Sequence, residues 1–214
     1  FIEKVEKANK FFFFIRPRRF GKSLTMSMLR HYYDINQTDK FDSLYGDLYI
    51  GKHPTPNHNK YLIIYLNFAV VNADLGNYRS ALDAHCRTEF TILCDRYSSL
   101  LPSNLKENLM KEDGAVKQLD ILYKVANEVG LKIYLFIDEY DHFTNHILSD
   151  AARLDEYKGE THGTGYLRTF FDTIKAGTDS SIERVFITGV SPVTLDDLTS
   201  GFNIGTNYSL SNGF

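Results

Sequence analysis

Residues 16–23 read R-P-R-R-F-G-K-S, and residues 133–139 read I-Y-L-F-I-D-E. The first run meets the phosphate-loop pattern G-x-x-x-x-G-K-[ST] at Gly21, Lys22 and Ser23. A glycine there lets the backbone pass close to phosphate oxygens, and successive N–H groups at a helix start form a nest for an anion. Lys22 is placed to neutralise the β- and γ-phosphates, and the Ser23 hydroxyl to ligate Mg2+. Arg18, Arg19, Phe20 and Leu24 complete the expected nucleotide-binding stretch around them. Arg16 stands where the pattern has its first Gly, which allows a sharp exit from a strand; Pro17 instead restricts the turn to extended geometry. The second run has the Walker B form, an apolar stretch closed by two carboxylates. Asp138 is expected to bind the magnesium hydration shell, and Glu139 to orient and deprotonate an attacking water. Lys22 and Glu139 are thus the catalytic pair, and ATP with Mg2+ the expected ligand.

Each signal has a plainer reading. G-K-S also occurs as a simple helix start, strands often end in acidic residues, and Arg18 and Arg19 can be solvated loop cations. The two runs gain weight from each other, because phosphoryl transfer asks the protein for little beyond a metal, a lysine and a water-positioning carboxylate. Asp141, His142 and His146 follow the carboxylates, and two His four apart on a helix could hold zinc; their company favours magnesium and a surface role. Thr188 is a candidate γ-phosphate sensor, although Thr also suits strands for packing reasons alone.

The elements that must position these residues are legible from hydrophobic runs. Phe11–Ile15 (FFFFI) is continuously apolar and reads as a central parallel strand buried on both faces. It feeds the loop 16–21 and then a helix over 22–33, with Leu24, Met28 and His31 or Tyr32 expected on the packed side. Residues 34–60 carry Gly46, Gly51, Pro54 and Pro56 and read as a connection with little regular structure. Further strands are expected at Tyr61–Phe68, Ile133–Ile137 and Arg184–Thr188. Helices are expected at 75–100 and 105–129, broken near Pro102 and Gly114, and at 165–175; residues 149–163 read as a surface loop. Four short apolar strands separated by helices predict an α/β domain whose mostly parallel sheet is flanked by helices, and the phosphate-loop run after the first strand makes the expected fold that of a P-loop NTPase. Ligands of such sheets bind at the strands' carboxyl ends, where every residue singled out above falls.

Composition narrows the class. The chain has 214 residues, 43% of them hydrophobic, which is enough for one core without disulfides. Cys86 and Cys94 lie on one expected helix, roughly 12 Å apart along its axis, too far to bridge, which suits a reducing cytoplasm. No apolar run approaches the ~20 residues of a membrane span. Net charge is -3, but residues 1–30 hold eight Lys and Arg against Glu3 and Glu6, leaving -9 elsewhere. A basic segment in an acidic chain suits a nucleotide triphosphate better than a nucleic-acid backbone, since no groove-reading helix or base platform accompanies it. The chain reads as one domain, a fragment of something longer.

R-P-R-R-F-G-K-S-L, L-F-I-D-E-Y-D and V-F-I-T-G-V-S-P-V-T-L-D-D-L-T-S-G-F-N together resemble the AAA-ATPase-like family of bacterial proteins, from the strand before the loop to near Phe202. The resemblance implies that Arg16 in the first Gly position is a family trait. It also implies a nuclease-like domain of the PD-(D/E)XK type fused C-terminally in the full-length protein. The expected function is Mg-dependent ATP binding with slow hydrolysis driving a conformational switch, which could regulate that domain. Many such ATPases take an arginine from a neighbouring subunit, so a homo-oligomer is a further expected partner, with Arg153 and Arg168 as candidates. A nucleotide-dependent interaction module without turnover is the alternative, and a nucleic-acid-binding module the weaker one.

Overall fold

The structure is a computed structural model; it describes residues 1–71, 78–142 and 165–190 and the backbone of 206–207. Five parallel strands, β1 (Phe11–Ile15), β2 (Tyr61–Asn67), β3 (Lys132–Asp138), β4 (Ile182–Gly189) and β5 (Thr206–Asn207), assemble in the order β2-β3-β4-β1-β5. β1 lies between β4 and β5 and is buried along its whole length, as its unbroken apolar run requires.

Alternation along the strands divides the core into two faces. Phe11, Phe13, Ile64, Leu135 and Ile187 point one way, into a mainly aliphatic core closed by α5 (Tyr78–Arg96), α6 (Leu105–Lys111), α7 (Ala115–Glu128) and α8 (Tyr166–Gly177). Phe12, Phe14, Tyr134, Phe136 and Phe186 point the other way, beneath α1 (Ile2–Lys7), α2 (Lys22–Tyr33) and α3 (Phe41–Tyr45). That second face is an aromatic layer: Phe12 stacks on Phe186 at 5.2 Å, Tyr134 on Phe136 at 4.4 Å, and Tyr33 of α2 lies 4.8 Å from Tyr134. The result is an α/β domain with helices on both sides of a parallel sheet. Among the described residues no helix is long and apolar enough to cross a membrane.

Two expectations need correction. The packed side of α2 is Lys22, Met26, Leu29, Tyr32 and Tyr33, whereas Leu24 and Met28 face outward, 69% and 43% exposed. Burial of Lys22 sets this phase, because residues 22, 26, 29 and 33 form one stripe at helical spacing. Residues 34–60 also hold regular structure: a 3-10 helix over Ile35–Lys40, α3, and α4 (Tyr49–Lys52). The Asp34 carboxylate caps the 3-10 helix by accepting from the Asn36 N–H at 2.9 Å, and Phe41 and Tyr45 anchor α3 against Tyr32. The break between α6 and α7 falls at Gly114, as expected. Cys86 and Cys94 are both free and buried on α5. The expected loop 149–163, His146 and Arg153 lie outside the described residues.

Candidate functional site

Strand register brings the carboxyl ends of β1 to β4 to one edge. Ile15 pairs with Gly189, Phe14 with Thr188, Phe136 with Phe186, and Asp138 with Asn67 of β2. β4 therefore lies between the strand that leads into the loop and the strand that ends in the carboxylates, separating them by about 10 Å, two strand spacings. Thr188, Asp138 and Tyr65 share the face that α2 covers, since they continue the alternation of Phe186, Phe136 and Ile63, and Tyr65, which pairs with Phe136, lies diagonal to Asp138.

The loop leaves β1 late. The Arg16 N–H donates to the Gly189 carbonyl at 3.1 Å, extending the parallel ladder by one residue, and its guanidinium lies 5.1 Å over the Phe14 ring. Arg16 followed by Pro17 thus continues the strand where a glycine would turn it. The turn comes later, at Arg19 (φ 68°) and Gly21 (φ 72°), both left-handed. Gly21 meets nothing that would clash with a side chain, so its value here is conformational. The Lys22 ammonium bends back to donate to the Arg16 and Pro17 carbonyls at 3.0 and 3.1 Å, which uses two of its three protons. The first helical bond runs from the Thr25 N–H to the Gly21 carbonyl at 2.9 Å. The amides of Lys22, Ser23 and Leu24 precede that bond and point out of the N-terminal end of the helix. Ser23, Arg18, Arg19 and Phe20 are exposed, and the side chain of Leu24 turns to solvent, leaving only its amide at the helix start.

Asp138, 3% exposed, is held from three directions. Its Oδ1 accepts from the Thr188 hydroxyl and from the Glu139 N–H at 3.0 Å, and its Oδ2 accepts from the Tyr65 hydroxyl at 3.4 Å. The Glu139 N–H also reaches Thr188 Oγ1 at 3.4 Å. Glu139 itself is half-buried at φ 50°. Among the described residues only Arg19, Asn59 and Glu139 are non-glycine residues with positive φ, so two of the three strained positions lie in this site. Gly189 permits the arrangement, because a Cβ there would sit 2.3 Å from the Tyr140 ring and 2.8 Å from Asp141 Oδ1. Asp141, 2% exposed, accepts from the Val190 N–H at 2.8 Å and so pins the end of β4.

Ser23 and Asp138 suit Mg2+. Both offer hard oxygen, Oδ2 of Asp138 takes one long hydrogen bond among the described residues, and magnesium keeps several waters and needs only one or two protein ligands. His142 is exposed, and no group of three or more His, Cys, Asp or Glu that could hold a metal forms among the described residues.

Three residues near the edge escaped the sequence reading. Tyr65 joins Asp138, and burial followed by the Asp138 charge pushes its hydroxyl up to about 12. Arg30 of α2 lays its guanidinium 3.8 Å over the Tyr65 ring, and burial lowers it from its ordinary value. His85 accepts from the Asn67 N–H at 3.2 Å through Nε2, which places its proton on Nδ1; burial lowers its basicity. The available signal was the polar-tipped alternation of Tyr65 and Asn67 at the end of β2. Arg168 lies on the first turn of α8, 4.0 Å from Asp172.

Beside the loop, an apolar groove of about 530 Å³ is lined by Ile2, Phe14, Thr25, Met28, Leu48 and Tyr49, among others.

A family model described as "Predicted AAA-ATPase" matches residues 1–199. No curated protein matches the chain. Among solved structures, the crystal structure of Cdc6p from Pyrobaculum aerophilum is similar at 13% identity and a TM-score of 0.39, over 95% of this chain and 40% of that one. This chain therefore spans less than half of that protein.

Proposed function

The chain belongs to the AAA-ATPase-like family, and on that premise we propose that it binds Mg-ATP at the edge formed by Gly21–Ser23 and Asp138 and hydrolyses it slowly to drive a conformational switch. The observation that carries the reading is the juxtaposition at one sheet edge of a helix N-terminus with a buried lysine and a carboxylate clamped by Thr188. Phosphates meet the free amides of Lys22, Ser23 and Leu24, and the Lys22 ammonium exchanges the Arg16 and Pro17 carbonyls for phosphate oxygens. That exchange releases the loop, which sits on β1 directly beside β5, and is the start of the switch. Ser23 and Asp138 hold Mg2+, which supplies charge neutralisation at the phosphoryl group when bound. Glu139 takes the proton of the attacking water, and Thr188 fixes the Asp138 carboxylate. A nuclease-like C-terminal domain in the full-length protein is the switch's proposed target, and a homo-oligomer, with Arg168 as an arginine donor, its proposed setting.

The groove takes the nucleoside. Thr25 is two residues past Ser23 and Phe14 two residues before Arg16, so the groove opens against both flanks of the loop, within reach of a base whose phosphates rest on Gly21–Ser23. Met28→Asp puts a charge into this apolar wall, away from the phosphates. The expected result is a Kd for Mg-ATP raised about tenfold, ~1.4 kcal/mol, with that for inorganic tripolyphosphate unchanged. Equal weakening of both ligands would remove the groove as the base site.

The direct test of the reading is thermal denaturation of the protein with Mg-ATP, Mg-ADP or Mg2+ alone. A midpoint raised by nucleotide supports it, and phosphate release at saturating ATP supports turnover. Stabilisation without any release leaves the non-hydrolysing interaction module as the function.

A further inference from the structure

Asp138 needs a defined orientation if Oδ2 is to face a cation, and its described bonds share that task unequally. Thr188 and the Glu139 amide both act on Oδ1. Tyr65 is the described donor to Oδ2. It comes from β2, where it pairs in register with Phe136, so Asp138 is its diagonal neighbour on the same face of the sheet. The Tyr65 ring in turn carries the Arg30 guanidinium at 3.8 Å, and Arg30 Nε is buried without a hydrogen-bond partner. Arg30 lies seven residues past Ser23 on α2, hence on the same side of the helix and about 10 Å further along it. One end of α2 therefore presents the phosphate amides and the Ser23 hydroxyl, and its last turn bears on the tyrosine that holds the opposite magnesium ligand.

We propose that Tyr65 is a positioning residue for Asp138 as a magnesium ligand, and that Arg30 stacked on its ring links this carboxylate to the phosphate-loop helix. The inference rests on the Mg-ATP reading above. In it, cation affinity at Asp138 depends on where α2 lies, so that phosphate seating and metal binding favour each other through Arg30 and Tyr65 as well as through the shared ligand.

The test titrates Mg2+ into the full chain holding a fluorescent ATP analogue and compares this with binding of the same analogue in EDTA. Tyr65→Phe keeps the ring and the Arg30 stack and removes only the hydroxyl. Its metal-free affinity is expected to stay within twofold of wild type, while the Mg2+ concentration at half-saturation rises about tenfold, the size usual for loss of a partner behind a metal ligand. Arg30→Met keeps bulk and removes the cation; a smaller rise, about threefold, is expected, with partial recovery in Arg30→Lys. A merely structural role would weaken binding with and without metal alike, and that result overturns the proposal. Unchanged Mg2+ half-saturation in Tyr65→Phe overturns it as well while leaving the Mg-ATP reading intact. A wild-type protein that binds no analogue in either condition overturns both.

Discussion

Lys22→Ala is expected to lose the stabilisation that Mg-ATP gives the wild-type protein. At about 100 times its dissociation constant a ligand stabilises by ~2.7 kcal/mol, which for a chain of this size raises the midpoint by about 5–10 °C. The Lys22 ammonium is buried at the loop and committed to two loop carbonyls. Removing it takes away both the countercharge for the phosphates and the tether that preorganises the loop. The first loss falls on binding and the second on the ligand-free protein, and the same experiment separates them. The Arg16 and Pro17 carbonyls belong to a solvent-accessible loop and can turn to water, so the variant without ligand should melt within about 1 kcal/mol of wild type. A variant that melts normally and no longer responds to Mg-ATP places the phosphates at Gly21–Ser23. A variant still fully stabilised by Mg-ATP shows that the nucleotide binds elsewhere.

The strands were readable because a parallel strand buried on both faces has almost no freedom in composition: FFFFI, YLIIYLN and KIYLFID leave no alternative. The order strand, loop, helix around G-K-S followed from the same signal. Sheet order did not, since nothing local in Ile182–Gly189 says that β4 inserts between β1 and β3, which is what brings Thr188 onto Asp138. The phase of α2 was misread by anchoring on its first apolar residue, Leu24. Lysine is rarely a buried residue, and Lys22 is buried here because the loop carbonyls receive its charge, a tertiary fact. Residues 34–60 looked irregular for a related reason. Their short helices are held by Phe41 and Tyr45 against Tyr32 rather than by periodicity, and segments of four to six residues carry too few turns for a period to show. Tyr65 and Arg30 escaped because their partners are 73 and 35 residues away in the chain, and each alone is an ordinary strand tyrosine or helix arginine.

Glu139→Gln separates chemistry from binding, and it is expected to lower the ATP turnover number by 10²–10⁴ while leaving Mg-ATP affinity within a few-fold of wild type. The two side chains have the same size and differ in whether they can take a proton. Glu139 sits at φ 50°, and its amide is fixed by Asp138 Oδ1 and Thr188, contacts made by the backbone and so retained in the variant. Glutamine in that conformation bears the same backbone strain, so unfolding should be unchanged and a slower rate can be assigned to the lost carboxylate. The position also explains the economy of the site. Asp138 is buried and bonded from both neighbouring strands, which suits a ligand that must not move, whereas Glu139 is half-buried with its backbone turned out of the strand, which suits a group that must meet water. Single-turnover phosphate release measured beside equilibrium binding decides the point. Slow release with intact binding makes Glu139 the base. Equal release from both proteins assigns the water to another group, and no release from either makes the left-handed Glu139 turn part of a binding switch that does not consume its ligand.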